Sequence, residues 1–230
     1  MRIFVAGATG ATGVVLVPRL RARAHTVVPH VRPATALRHP LGADADVAAI
    51  DLADADALDR ALAGCDAVVS LVGTMRERFG TGDTYAASDV GTTRLLVDAA
   101  CRVNVKSFVL LSSYGAGGAG PYLQAKGAAE ALVRGSGLSW SLLRPSALVS
   151  PADGMVGSHG RRQTPGWLVD AGARFAGLPW IGPTLDDLRA IPIEVVANGI
   201  LAVLEDRAHY AGSTLAGRDL WAIAARAAGG

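Results

Sequence analysis

Short apolar runs alternate with longer segments of helical periodicity through the first 145 residues. This alternation is typical of repeated strand-helix-strand units and of a parallel sheet. Apolar residues fill most of the short runs, as in 67–72 and 108–111, which is expected of strands that helices cover on both faces. The pattern predicts strands at 2–6, 26–31, 46–51, 66–72, 107–111 and 138–143.

Helical segments are predicted between these strands and after them. The segment at 121–134 has the clearest limits, because Pro121 suits a first helical position and Gly135 and Gly137 end it. We therefore expect a single domain over 1–230, with a doubly wound, mostly parallel sheet at 1–149 and a small C-terminal substrate-binding cap with closing helices at 150–230. The predicted helices are 11–23, 54–63, 84–103, 121–134, 194–205 and 218–227, with a short one near 166–176.

Composition and charge exclude several classes of protein. Hydrophobic residues make up 50% of the 230 positions, which excludes a disordered chain. With 22 basic against 20 acidic residues, the charge gives no reason to expect nucleic-acid binding. No apolar run is long enough to span a membrane and the first residues already read as a strand, so a cytoplasmic protein without a membrane partner is expected. Cys65 and Cys101 are isolated, and no metal site is expected.

A glycine-rich loop joins the first predicted strand to the first predicted helix. Gly7 permits a tight turn, Gly10 lets backbone N–H groups approach a pyrophosphate, and Gly13 lets the helix pack close to the strand. The helix N-terminus adds oriented N–H donors and a dipole that favours an anion. The loop predicts a dinucleotide site, although a glycine turn without a ligand is the alternative. Its residues are Gly7, Thr9, Gly10, Ala11, Thr12 and Gly13.

A tyrosine and a lysine lie four positions apart in the helix predicted at 121–134. Tyr122 and Lys126 would therefore share one helix face. An ammonium beside a phenol stabilises the phenolate and lowers the phenol pKa, as acid–base catalysis near neutral pH requires. Ser113 follows the strand predicted at 107–111, where it could donate a hydrogen bond to a substrate carbonyl oxygen. A chance occurrence of this common spacing is the alternative.

These motifs together resemble the extended and atypical short-chain dehydrogenases/reductases, in particular the NmrA-like or Tat-interacting oxidoreductase-like subgroup. The resemblance covers most of the chain and implies a Rossmann fold, a nicotinamide cofactor and hydride transfer. It also implies that Ser113, Tyr122 and Lys126 are catalytic, with Tyr122 exchanging the hydroxyl proton and Lys126 holding the nicotinamide ribose. It rests on the GxxGxxG spacing of the glycine loop and on the segments 111–116, 122–127, 143–145 and 191–196 with Glu130.

The resemblance also implies where the cofactor lies. Arg32 stands at the end of the second predicted strand, where an NAD-selective site would carry an acidic residue. A guanidinium there suits a 2′-phosphate, so NADP(H) is expected, unless Arg32 is an ordinary solvated loop charge. Asp51 is expected near the adenine, or else as a helix cap. The other implied contacts are Leu52, Leu71, Val72, Gly73, Ser112, Tyr122, Lys126, Pro145 and Ser146, with Thr74 beside Gly73.

Two departures from the family pattern affect the expected chemistry. Ser88 stands where the family has an Asn that supports a water in the proton relay, and Asp89 lies beside it. Ser113 and Tyr122 are also closer in sequence than in most extended reductases. The proton relay of this chain is therefore expected to be altered.

Three functions remain in competition. The first is an NADP(H)-dependent oxidoreductase, an enzyme acting on a carbonyl or hydroxyl of a small molecule. The second is a non-catalytic NADPH-binding sensor or regulatory protein, and the third is an epimerase or dehydratase with tightly held cofactor. A helix face at 84–103 or 121–134 could serve a homodimer. Arg161 and Arg162 could recognise an anionic substrate, with solvated loop charges as the alternative. His159 could assist proton transfer or be an exposed loop residue, and Gln163 and Trp167 lie in the same segment.

Overall fold

The computed structural model describes residues 1–73, 84–149, 156–157, 161–162 and 189–228. In chain order, its strands are β1 (Arg2–Ala6), β2 (Thr26–Val31), β3 (Ala48–Ala49), β4 (Ala67–Ser70), β5 (Ser107–Leu111), β6 (Ser139–Arg144), β7 (Leu148–Val149), β8 (Val156–Gly157), β9 (Arg161–Arg162), β10 (Ile191–Pro192) and β11 (Ser213–Ala216). Within these ranges, seven strands form one parallel sheet in the order β11-β6-β5-β4-β1-β2-β3. Two small pairs, β10 with β7 and β8 with β9, stand apart from it.

Helices connect the strands and cover the sheet. The α-helices are α1 (Ala11–Ala22), α2 (Pro33–Ala36), α3 (Ala55–Leu62), α4 (Thr92–Arg102), α5 (Pro121–Arg134), α6 (Ile193–Glu205), α7 (Arg207–Tyr210) and α8 (Gly217–Ala228). A 3₁₀ turn covers Pro40–Ala43, and a π-helical segment at Ala86–Gly91 leads directly into α4. No helix in the part of the chain just described is long and apolar enough to cross a membrane.

Two hydrophobic cores lie on opposite faces of the sheet. Val5 and Val109 belong to the core that α1, α6 and α8 cover, whereas Phe4 and Phe108 belong to the core that α3, α4 and α5 cover. Neighbouring residues of one strand point to opposite faces, so both parities along β1 and β5 are buried. This double burial explains the continuous apolar runs and confirms the doubly wound, parallel α/β fold.

The C-terminal part of the chain contributes a strand to the main sheet. Strand β11 joins the sheet beside β6, and the sequence did not predict it. Its four residues form a short edge strand, so they lack the continuous apolar run that marks a strand buried on both faces. The segment predicted as strand 46–51 pairs only at Ala48–Ala49, and the predicted helix 84–103 divides into the π-helical segment and α4. The short helix expected near 166–176 lies outside the described residues.

The register of the sheet brings three strand ends together. Ala6 of β1 is paired with Ser70 of β4, and Ser70 with Leu110 of β5. The segments that follow these strands therefore leave the sheet side by side at its carboxyl edge. Open α/β sheets bind their ligands at this edge.

Candidate functional site

The glycine loop after β1 is built around close backbone contacts. Gly7 has φ +83°, and a Cβ there would lie 3.1 Å from the carbonyl carbon of Leu71. A Cβ at Gly13 would lie 2.4 Å from the carbonyl oxygens of both Gly7 and Ala8, which no side chain can accept without movement of the backbone. The loop is closed by a hydrogen bond of 3.0 Å from the Gly10 N–H to the Gly7 carbonyl.

Helix α1 begins at this loop with its first backbone donors uncapped by any described side chain. Its N-cap is Gly10, and its first turn holds no acidic residue. The first N–H groups of a helix have no partner within the helix, and the helix dipole adds positive charge to them. The start of α1 can therefore receive the negative charge of a pyrophosphate. Thr12, also expected here, is buried in the first turn.

The chain leaving β4 passes between the glycine loop and α5. Leu71 donates its N–H to the carbonyl of Ala6 at 2.9 Å, so it continues the pairing of β4 with β1. At Gly73, a Cβ would lie 2.5 Å from Nζ of Lys126 and 3.0 Å from Oδ1 of Asp89. Gly73 itself is exposed, so among the residues that the structure describes it is glycine backbone that lies between this pair of charges and the carboxyl edge.

Lys126 and Asp89 form a buried ion pair at this edge. Nζ of Lys126 lies 2.8 Å from Oδ1 of Asp89, and the two side chains are 6% and 1% exposed. The ammonium also donates a long hydrogen bond of 3.5 Å to the carbonyl of Leu111, the last residue of β5. The backbone carbonyl of Asp89 accepts a hydrogen bond of 2.6 Å from the Thr93 hydroxyl. Lys126 is therefore held between the end of β5 and the π-helical segment.

Tyr122 lies one helical turn before Lys126, on the same face of α5. Nζ of Lys126 is 5.9 Å from the centre of the Tyr122 ring. The Tyr85 ring meets the Tyr122 ring edge-on, with centroids 5.7 Å apart. Both tyrosines are half-buried. The structure thus brings together the tyrosine and the lysine expected from the sequence.

The two serines after β5 are placed differently from each other. Ser113 is half-buried, and its hydroxyl donates only a long 3.4 Å bond to the carbonyl of Tyr114. Ser112 is buried, and its hydroxyl donates to Oε1 of Glu130 at 2.6 Å. The proton of the Ser112 hydroxyl is thus used within the fold, and its oxygen can still accept a hydrogen bond, so the cofactor contact of Ser112 stays a prediction.

Glu130 joins α5 to the ends of β5 and β6. Besides the Ser112 bond, it accepts two hydrogen bonds from Arg144, at 2.8 Å to Oε1 and 2.6 Å to Oε2. Burial alone would raise the pKa of Glu130, but the hydrogen bonds from Arg144 and Ser112 outweigh it and lower the pKa. Arg134 adds a further contact at 3.0 Å. Glu130 is therefore a charged carboxylate at neutral pH, although it is fully buried.

The remaining residues that were expected to contact the cofactor differ in their surroundings. Arg32 is exposed immediately after β2, and Asp51 uses its carboxylate to accept the Ala53 N–H at 3.0 Å, as in a local turn. Leu52 and Val72 pack against the core beneath α3, α4 and α5. Pro145 is buried and accepts the Tyr114 N–H at 2.8 Å through its carbonyl. The Ser146 hydroxyl donates to the carbonyl of Arg189 and so ties the end of β6 to the chain before β10.

Some expected residues lie outside the structure just described. Arg161 and Arg162 are described only as the backbone of β9. The others are Thr74, His159, Gln163 and Trp167.

The sequence alone did not identify Asp89 as the partner of Lys126, or Glu130 as the partner of Arg144. One signal was present, because Tyr122, Lys126, Glu130 and Arg134 recur every four positions and so lie on one face of α5. A charged stripe on a helix is more often solvated than buried. Only the packing of α5 on the sheet shows that Lys126 and Glu130 are buried.

The family model described as NAD(P)H-binding matches residues 7–165, from the glycine loop to beyond β9. The chain belongs to this NAD(P)H-binding family. The matched span contains the glycine loop, the chain after β4 and the Tyr122–Lys126 pair. No curated protein matches the chain.

Solved structures with similar folds include a short-chain dehydrogenase/reductase superfamily protein, an oxidoreductase and an epimerase. A short-chain dehydrogenase/reductase superfamily protein from Agrobacterium tumefaciens with bound NAD has a TM-score of 0.67 at 22% identity, over 94% of this chain and 76% of that one. The oxidoreductase ylbE from Lactococcus lactis has a TM-score of 0.66 at 20% identity, over 93% and 89%. The UDP-glucuronic acid 4-epimerase from Bacillus cereus, with UDP-glucuronic acid and NAD, has a TM-score of 0.65 at 17% identity, over 100% and 84%. These similarities establish the fold.

The residues present fit the nicotinamide cofactor of an NAD(P)H-binding family. The close contacts at Gly7 and Gly13 allow the tight turn into α1, and no side chain caps the first N–H groups of that helix, so these donors suit a pyrophosphate. At the other end, the ammonium of Lys126 lies behind Gly73, where any side chain would displace it. One path along the carboxyl edge therefore joins an anion-binding loop to a buried cation beside a tyrosine.

Proposed function

We propose that this chain is an NADP(H)-dependent oxidoreductase that transfers hydride to or from a carbonyl or hydroxyl carbon of a small molecule. The observation that carries the proposal is the placement of Tyr122 beside Lys126 at the carboxyl edge, with Nζ 5.9 Å from the ring centre. A helix face that places a phenol beside a fixed ammonium suits proton exchange with a substrate oxygen.

The proposed roles follow from the chemistry of each group. A bound nicotinamide would supply the hydride in reduction and accept it in oxidation. Tyr122 gives its phenolic proton to the substrate oxygen in reduction and takes the hydroxyl proton in oxidation. Ser113 donates a hydrogen bond to the same oxygen as negative charge develops there. Lys126 would hold the nicotinamide ribose through its ammonium, which lies 5.9 Å from the centre of the Tyr122 ring.

The proposed preference for NADP(H) rests on Arg32. The Arg32 side chain is exposed immediately beyond β2. Asp51, the acidic residue expected near the adenine, uses its carboxylate to accept the Ala53 N–H in a local turn. A guanidinium at that place can form paired, charged hydrogen bonds with a 2′-phosphate. Calorimetric titration with NADPH and NADH tests the preference. We expect Arg32→Ala to weaken NADPH binding by about tenfold or more and to leave NADH binding nearly unchanged. Equal affinities in the unaltered protein would contradict this role of Arg32.

The catalytic proposal is tested by Tyr122→Phe. This variant keeps the ring packed against Tyr85 and removes only the hydroxyl, so we expect NADPH affinity to be retained. Turnover of carbonyl substrates found by screening should fall by about 100-fold or more, as loss of a general acid does. Tyr114→Phe is the matched control, because Tyr114 lies in the loop between β5 and α5. Unchanged turnover in Tyr122→Phe would remove the proposed role.

A second candidate function is an NADPH-binding sensor without turnover. It is favoured by one observation, namely that the Lys126 ammonium already contacts the Asp89 carboxylate and the Leu111 carbonyl. A sensor would bind NADPH with the same Arg32 dependence and would show no oxidation of NADPH with any carbonyl substrate. Detection of substrate-dependent oxidation that Tyr122→Phe abolishes would exclude it.

A further inference from the structure

We infer that Asp89 is a positioning residue for Lys126 and that its charge sets the preference of this site between the oxidised and the reduced nicotinamide cofactor. The inference rests on the proposed function, because it needs the nicotinamide end of the cofactor to lie at Lys126. It concerns a carboxylate to which the family pattern and the expected catalytic set give no role.

The surroundings of the Lys126 ammonium fix its position. An ammonium has three N–H donors. Among the described residues, Nζ of Lys126 lies 2.8 Å from Oδ1 of Asp89 in an ion pair and donates a hydrogen bond of 3.5 Å to the carbonyl of Leu111. Gly73 stands so close that a Cβ would reach Nζ at 2.5 Å, so the ammonium has little room to move on that side. Asp89 thereby fixes the place of Lys126 and leaves a donor for a ribose hydroxyl.

Burial strengthens the electrostatic effect of the Asp89 and Lys126 charges. The Asp89 side chain is 1% exposed and that of Lys126 is 6% exposed, so solvent screens their charges little. A lysine alone at this place would make the local potential strongly positive. The Asp89 carboxylate opposes that potential, and within the described part of the chain the backbone of Gly73 lies between the pair and the carboxyl edge.

The oxidised and reduced forms of the cofactor differ in the charge of the nicotinamide ring. The oxidised nicotinamide ring carries a positive charge and the reduced ring is neutral, whereas their phosphates are the same. A negative charge near the ring therefore favours the oxidised form over the reduced one, whatever the other contacts contribute. Removing the Asp89 charge must weaken binding of NADP⁺ relative to NADPH.

The experiment is calorimetric titration of nucleotide-free protein with NADP⁺ and with NADPH, at one pH and one salt concentration. In Asp89→Asn, the amide oxygen can still accept from Lys126, so the geometry is kept and only the charge is lost. We expect the ratio of the NADP⁺ dissociation constant to the NADPH dissociation constant to rise by about tenfold, the order of effect of one unit charge at short range inside a protein. Asp89→Ser makes the same charge change and replaces Asp89→Asn if that variant does not fold.

Two further variants separate charge from structure. Asp59→Asn removes a carboxylate from the exposed ion pair with Arg102, at the far end of α4, and should leave the ratio unchanged. The double variant Asp89→Asn with Lys126→Met removes both charges, so we expect the ratio to return to within about twofold of the original while both forms bind more weakly. This return is the signature of charge, since a structural defect would not be repaired by a second substitution.

The outcomes are distinct. A raised ratio in Asp89→Asn that the double variant reverses supports the inference. Equal changes in both affinities would overturn it and leave Asp89 a purely structural residue. Failure of the unaltered protein to bind either NADP(H) or NAD(H) would instead overturn the proposed function.

Discussion

A Cβ at Gly73 would lie 2.5 Å from Nζ of Lys126, closer than a carbon and an ammonium nitrogen can approach. The lysine is the more mobile of the two residues, but its ion pair with Asp89 restrains it. The absence of a side chain at Gly73 is therefore required for the observed place of the ammonium.

Gly73→Ala should displace the ammonium from Asp89 and from the open edge. We expect the NADPH dissociation constant to rise by about tenfold, as after loss of one charged hydrogen bond, while the protein stays folded. Isothermal titration and a thermal melt together measure this. Gly135→Ala is the matched control, because Gly135 ends α5 at the opposite end of the sheet and a Cβ there lies 3.3 Å from the Ala131 carbonyl. Equal NADPH affinity in the two variants would contradict the prediction.

Gly13→Ala should affect both the fold and the glycine loop. Its Cβ would meet two backbone carbonyl oxygens at 2.4 Å, and these cannot turn away as a side chain could. We expect the free energy of unfolding to fall by about 1 to 3 kcal/mol, as in other overpacked positions, and NADPH binding to be lost. Gly10→Ala, whose Cβ would lie 3.2 Å from the Gly7 carbonyl, should cost much less stability. Equal destabilisation by the two substitutions in denaturant titrations would count against this account of the loop.

Glu130→Gln should make the protein less stable near neutral pH by about 3 kcal/mol, the order expected when one partner of a buried ion pair is removed. The pKa of Glu130 is lowered in the fold, because hydrogen bonds from Arg144 and Ser112 outweigh the effect of burial. The unfolded chain then binds more protons in acid, so this stabilisation is present above the ordinary carboxyl pKa of about 4.3 and is lost as pH falls toward the lower folded value.

Denaturant titrations of the unaltered protein and of Glu130→Gln between pH 7 and pH 3 measure how the Glu130 charge contributes to stability. We expect the stability difference between the unaltered protein and Glu130→Gln to shrink as the pH falls through that range. Asp59→Asn, which removes the carboxylate of an exposed ion pair, should produce a much smaller difference at neutral pH. A difference for Glu130→Gln that does not vary with pH would show that its charge does not stabilise the fold.

The sequence predicted the fold well because burial on both faces leaves a strong signal. Strands β1, β2 and β5 lie where continuous apolar runs predicted them, and α5 begins and ends at Pro121 and Arg134 as its flanking residues indicated. Strand β11 was missed because an edge strand needs less apolar surface and so differs little from a loop in its sequence.

The candidate site was predictable only in part. A fixed spacing of four residues on a helix places Tyr122 and Lys126 on one face, so local geometry alone brought them together. The partnership of Lys126 with Asp89 joins residues from two helical segments, and no sequence spacing specifies it. The hydrogen bond from the Ser112 hydroxyl to Glu130 likewise depends on how α5 packs on the sheet, since Glu130 is 18 positions further along the chain.

The charged stripe of α5 makes the position of Tyr122 depend on residues outside the proposed catalytic set. A rotation of α5 about its axis that moved Tyr122 would also pull Glu130 away from Ser112 and Arg144. Two separate ion pairs, one at each half of the helix, thus oppose the same motion. The two ion pairs fix the rotation of α5 relative to the sheet. Mutations at the ends of β5 and β6 can therefore change the orientation of Tyr122 without contacting it.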